Sequence, residues 1–133
     1  MARDDHLALL QQGMTSWNEW RRHSAEPPDL SAGQLRGYDF SGYNLAHASL
    51  RDADLRGARF RQSDLADADL AGANLFKAEL EGANLAAAIL TGAKFLNCGQ
   101  LVVARNWQTA QRDDELACGA TIPPAMPAKD TNA

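Results

Sequence analysis

From Leu30 to Phe95 every fifth residue is Leu or Phe: Leu30, Leu35, Phe40, Leu45, Leu50, Leu55, Phe60, Leu65, Leu70, Leu75, Leu80, Leu85, Leu90 and Phe95. Between residues 28 and 97 only Phe76 and Leu96 fall outside this column. A second column runs two residues ahead of it: Ala48, Ala53, Ala58, Ser63, Ala68, Ala73, Ala78, Ala83, Ala88 and Ala93. Few backbones can use a period of five. An α-helix turns about 100° per residue, so steps of five drift by about 140° and the leucines would spiral round it. A strand alternates faces, so odd steps put successive leucines on opposite sides. A coiled-coil seam repeats by heptads. What remains is a chain that turns a corner every five residues, four sides closing a square of twenty. The Leu/Phe and Ala columns then point inward, and the other three positions point outward or form corners.

Composition agrees with this reading. The 133 residues include 25 Ala and 17 Leu but only 2 Val and 2 Ile, which disfavours a β-sandwich or a doubly wound sheet. The ten glycines would sit badly in a helical bundle. Six of them (Gly37, Gly42, Gly57, Gly72, Gly82 and Gly92) fall on the second position after the central Leu or Phe. Corners there call for φ > 0, which glycine supplies without strain. Ala suits an interior where four side chains converge.

The runs A-D-L-R-G (53–57), A-D-L-A-G (68–72), A-E-L-E-G (78–82) and A-N-L-A-A (83–87) resemble the A(D/N)LXX repeat of pentapeptide-repeat proteins. The resemblance covers residues 28–97, about half the chain. It implies an all-β solenoid, a right-handed quadrilateral β-helix; the handedness comes from the resemblance alone. Fourteen pentapeptides would make about 3.5 coils, a rod about 17 Å tall at about 4.8 Å between strands. Both ends of such a rod expose unpaired backbone and apolar core, so each needs a cap.

The expected organisation is a capping helix and linker in residues 1–27, the β-helix in 28–97, a second capping helix in 98–120, and an extended or disordered tail in 121–133. Leu7, Leu10, Met14, Trp17 and Trp20 form one stripe of a helix over residues 5–22, with Gly13 inside it to permit close approach. That stripe covers the first coil, where Tyr38 and Tyr43 fill the wider open end. Trp17-Asn18-Glu19-Trp20 also resembles the W-N-x-W segment ahead of some bacterial arrays. Leu101, Val102, Trp107 and Leu116 mark the second helix, so Met14, Trp17, Trp20 and Trp107 are the expected capping residues. A helix between Cys98 and Cys118 would separate them by about 30 Å, which makes both free thiols. Asp4 and Asp5 stand where a signal peptide would be basic and then apolar, and the expectation is a cytoplasmic protein.

Residues twenty apart stack as neighbours, so the surface reads in columns. Asp39, Arg59 and Glu79 form one, beside Ser41, Arg61 and Glu81, and together they suggest a salt-bridge ladder. His47 stacks beneath Asp67. The pairs Asp52/Asp54 and Asp67/Asp69 each span a corner and share no column, so a metal site with six converging oxygens is not expected. Phe76, Ile89 and Leu96 are outward apolar residues near the last coil, there to receive the C-terminal helix or to form an interaction surface. No phosphate loop, nucleophile elbow or zinc motif occurs, and no catalytic, cofactor-binding or metal residue is assigned.

Three functions fit these features. The first is a non-catalytic structural or protein-interaction module with an unknown protein partner and no cofactor, direct nucleic-acid contact or membrane contact, present as a monomer or weak dimer. The second follows from the resemblance, since some pentapeptide-repeat proteins mimic DNA and bind DNA gyrase or topoisomerase IV, conferring quinolone resistance or toxin immunity. Mimicry asks for dense negative charge on a long rod, yet residues 28–97 hold 7 basic and 9 acidic side chains. The third is a small-ligand or regulatory role at a cap groove.

Overall fold

The structure, a computed structural model, describes residues 1–124. Most of the expected tail, residues 125–133, lies outside the described residues. From residue 32 to residue 92 every fifth residue has a positive φ, thirteen corners in a row. At each corner the carbonyl of the central residue accepts from the N–H three positions on, as Leu35 O does from Tyr38 N at 3.1 Å. A left-handed third residue is what such a turn needs. Six corners are glycine; the other seven, Ala32, His47, Asp52, Gln62, Asp67, Lys77 and Ala87, adopt φ of 56° to 63°.

The residue before each central Leu or Phe helps to hold the corner. Asp29, Asp39, Asn44, Asp54, Asp64, Asp69, Asn74 and Asn84 each accept, through the side chain, from the backbone N–H two residues on, at 3.0–3.3 Å. Asp and Asn are short enough to fold back in this way. The same residues carry the ladder. Each side of the square holds one parallel bridge to the residue twenty further on: Asp29–Ser49–Asp69–Ile89, Gln34–Asp54–Asn74–Lys94, Asp39–Arg59–Glu79 and Asn44–Asp64–Asn84.

The inward columns are buried from Leu30 to Leu90. Phe40 and Phe60 stack with centroids 4.9 Å apart, and the Ser63 hydroxyl donates to Phe60 O at 2.9 Å. Phe95 departs from expectation: it is 66% exposed, and Ala93 is only half-buried. Phe95 itself takes a left-handed φ of 60°, two residues earlier than the next corner was due. The chain leaves the square there, and Leu101, Ala104 and Ala110 close the core instead.

At the N-terminal end the expected single helix is two, α1 (Asp4–Gln11) and α2 (Met14–His23). Gly13 breaks them at φ 97°, and nothing crowds a Cβ there, so its role is backbone conformation and not close approach. Trp17 is fully buried, Trp20 half-buried and Met14 43% exposed, with its sulfur lying over Gly42. α2 completes the open edge of the first coil with side chains. Asn18 donates to Gly42 O at 3.0 Å and accepts from Asn44 N at 2.7 Å; Trp17 Nε1 donates to Asn44 O at 2.8 Å; Arg21 reaches Ala46 O. The Tyr38 hydroxyl donates to Leu10 O, joining α1 to the tyrosine-filled end. Buried His6 packs on Trp20 and accepts from Asp29 N through Nδ1 at 2.9 Å.

The expected C-terminal helix over 98–120 is absent. Only α3 (Cys98–Leu101) forms, closed by a reciprocal Asn97/Gln100 cap. The chain then runs round as an irregular further coil, bridging Asn84 to Arg105 and Ile89 to Gln111, with 3₁₀ turns at Trp107–Thr109 and Asp114–Leu116. The cysteines are therefore not distant thiols. Cys98 and Cys118 are joined in a disulfide with Cα atoms 5.6 Å apart and a separation of 20 residues, one coil length. Arg112 organises this cap: its buried guanidinium donates to the carbonyls of Gln108, Ala110, Leu116, Ala117 and Thr121 and lies over Trp107.

Two stability measurements follow. Asn74→Ala removes one corner acceptor and lowers the unfolding free energy by about 1 kcal/mol, whereas Asn74→Asp, which keeps the acceptor, leaves it near the parent value; urea denaturation reads both. Reduction of the disulfide costs about 3 kcal/mol for a loop of this length, seen as a lower denaturation midpoint in the presence of a thiol reductant.

Candidate functional site

The outward residues of the square rod are mostly polar, charged or small, and most of the charges are paired. Arg59 lies 3.7 Å from Asp39, and Arg61 lies 2.9 Å from Glu79 and 4.0 Å from Glu81, which is the expected ladder with one diagonal rung. His47 lies 3.9 Å from Asp67. The carboxylate pairs are divided between separate tasks: Asp54 binds the Arg56 guanidinium and Asp69 binds Arg51, while Asp52 and Asp67 sit at corners. These pairs are exposed at one or both partners, so each contributes little to stability.

Several carboxyls are held below their usual range. The Arg56 guanidinium does so for Asp54, the Ser41 hydroxyl and amide for Asp39, and the Ser31 hydroxyl for Asp29. Burial pushes the Tyr43 phenol up and the Arg112 and Arg21 guanidinia down. Each of these groups is engaged with backbone or a neighbour at a corner or cap.

The three outward apolar residues separate. Ile89 is half-buried in the ladder between Asp69 and Gln111, so the C-terminal segment covers it. Phe76 and Leu96 instead line an open groove of about 370 Å³ with Lys77, Phe95, Asn97 and Gln100. Phe76 is 46% exposed and meets the Phe95 ring edge-to-face at 5.7 Å, and the Lys77 ammonium lies 5.4 Å from the Phe76 centroid. The Gln100 amide is already committed: Nε2 donates to Leu75 O and Ala78 O, and Oε1 accepts from Asn97 N. Phe95 could not be found from sequence, because it keeps the five-residue register that elsewhere means burial. Phe76 and Leu96 could, because they are the two exceptions to that register.

These features define a short solenoid of five-residue sides with an apolar groove at its C-terminal end. The chain belongs to the pentapeptide-repeat family: the family model for pentapeptide repeats matches in 8 copies, over residues 29–62 and 63–98. That fold is a right-handed quadrilateral β-helix. Among solved structures the chain is similar to HetL, a pentapeptide-repeat protein involved in heterocyst differentiation regulation from Nostoc sp. PCC 7120, at 32% identity over 65% of this chain and 41% of that one, TM-score 0.46. It is also similar to Rfr23 from Cyanothece 51142, at 29% identity over 69% and 65%, TM-score 0.38, and to alr5209 from Nostoc PCC 7120, at 30% identity over 88% and 94%, TM-score 0.38. The chain thus spans about two fifths of HetL and just under two thirds of Rfr23. The search of curated proteins returned no match.

The depressed carboxyls set an acid limit. A carboxyl whose folded pKa lies below its unfolded value contributes stability above the unfolded value, and that contribution is lost as pH falls through the folded one. The denaturation midpoint should therefore hold steady down to pH of about 5 and fall below about 4. Asp39→Asn with Asp54→Asn should flatten that fall in a pH series of urea titrations.

Proposed function

We propose that the chain is a non-catalytic structural or protein-interaction module, binding a protein partner without cofactor, membrane or direct nucleic-acid contact, as a monomer or weak dimer of about 3.5 coils. The observation that carries this reading is the groove of exposed Phe76 and Phe95 beside half-buried Leu96, on a rod whose other outward positions are mostly polar, charged or small. An exposed apolar patch on a closed scaffold is the usual mark of a docking surface. A small-ligand role at this groove has less support, because such sites need converging polar groups and the Gln100 amide is already engaged.

The gyrase-binding reading has weaker support than an interaction module. The repeat segment carries a net charge of −2, from 7 basic and 9 acidic residues, and Arg51, Arg56, Arg59 and Arg61 interrupt its acidic surface through ion pairs. The cytoplasmic location proposed from the sequence has the disulfide against it, since such bonds persist in oxidising compartments.

A gyrase supercoiling assay separates the first two readings: the interaction module leaves supercoiling unchanged at micromolar protein, and the DNA mimic inhibits it. Alkylation of thiols in intact cells reads the compartment, with two modified cysteines expected in the cytoplasm and none where the bond is intact.

A further inference from the structure

We propose that the last open side of the solenoid, residues 93–96, together with the groove beside it, docks an extended acidic segment of a partner protein as an added parallel strand. This rests on the interaction-module reading and names its surface and the chemistry of its partner.

The backbone supplies the register. On every repeated side except that of Leu80, where the Gln100 amide takes the Ala78 carbonyl instead, the central N–H donates to a residue of the next coil, and the carbonyl two residues earlier accepts from that same residue. Leu50 N donates to Asp69 O at 2.7 Å, for example, and Asp69 N donates to Ala48 O at 2.9 Å. On the side of Ala93 and Phe95 the chain has left the square, and Phe95 N–H and Ala93 C=O have no backbone partner among the described residues. Together they present half of one parallel bridge, a template for strand addition.

The side chains supply the specificity. In the column Asp54–Asn74–Lys94 the next residue outward faces Lys94. Lys94 and Lys77 have no ion-pair partner among the described residues, unlike Arg51, Arg56, Arg59 and Arg61. An acidic residue suits that place. The left-handed Phe95 ends the extended side just past Lys94, so the docked segment pairs at Lys94 alone, and its residue two further on, back on the same face, is placed beside the exposed Phe76 and Phe95 rings, where an apolar group belongs. The occupant is thus an acidic residue followed, next but one, by an aromatic or aliphatic one. This chain's own candidate, Asp114 with Leu116, is engaged elsewhere: Leu116 is buried and both lie in a 3₁₀ turn. In residues 125–133 the one acidic residue, Asp130, is followed next but one by Asn132.

The test uses the full chain and two synthetic peptides, acetyl-Ser-Thr-Glu-Val-Phe-Glu-Ser-amide and the same sequence with Lys for each Glu. In ¹⁵N-resolved NMR titrations the acidic peptide should shift the Phe95 amide and slow its hydrogen exchange, and the basic one should not. Lys94→Glu, at an exposed position, should keep the dispersed spectrum, weaken the acidic peptide about tenfold and bring in the basic one. Phe76→Ala should weaken the acidic peptide by a similar factor. An unchanged Phe95 amide at saturating peptide, or equal binding of both peptides, overturns the proposal. So does a dimer that dissociates on Phe76→Ala, which gives the edge to a second copy, or peptide binding that appears only after deletion of residues 125–133, which gives it to this chain's own end. Photocrosslinking separates the two levels. A partner caught from position 47 and never from position 94 rejects this edge and keeps the interaction module. A specific turnover abolished by one surface substitution rejects the module itself.

Discussion

The rod depends on a corner made every five residues in the left-handed region. With one bridged residue per side, no strand is long enough to stabilise itself, so the turns carry the regularity. Each turn has its own carbonyl-to-amide hydrogen bond, and many have a second from an Asp or Asn side chain. Glycine removes the strain of the left-handed residue at six corners. Seven corners do without glycine, which shows that the cooperative stack holds residues in a conformation they would avoid alone.

A solenoid solves its middle by repetition and its ends by improvisation. At the N-terminal end Asn18 offers one acceptor and one donor to an exposed edge, much as a strand residue would, and Trp17 and Arg21 take neighbouring carbonyls. At the C-terminal end Gln100 caps two carbonyls of the preceding coil, and Arg112 gathers five carbonyls of its own segment around one buried cation. The disulfide then fastens the two ends of that segment to each other. Three sides of the last coil are covered in these ways. The fourth, which carries Phe95, keeps an open edge beside exposed aromatic rings among the described residues.

Much of this was legible before any coordinates. The inward columns, the corner glycines, the Arg59 and Arg61 ladder and the role of Trp17 all follow from spacing. The sequence holds two further signals. Asp or Asn precedes the central residue at eight positions, more often than solvent exposure requires, because the side chain closes the corner. Cys98 and Cys118 are twenty residues apart, the same spacing that stacks every other pair on the rod. Leu101, Val102, Trp107 and Leu116 are apolar enough for a helical stripe, which would part the two cysteines, but the open coil end offers the chain backbone partners at Asn84 and Ile89 that a helix could not use. Phe95 carried no distinguishing signal, since its spacing is that of a buried residue.

The sequence by itself determined the five-residue period, the contents of the core and the positions of the corners. These are local choices repeated along the chain, each satisfied by neighbours a few residues or one coil away. Only the tertiary structure decided where the repetition stops, how the chain folds back over its last coil, which cysteine meets which, and that Phe95 turns outward to join Phe76. Those outcomes depend on the competition for the unpaired backbone and uncovered core at the rod's end, and that competition exists only once the coils are stacked.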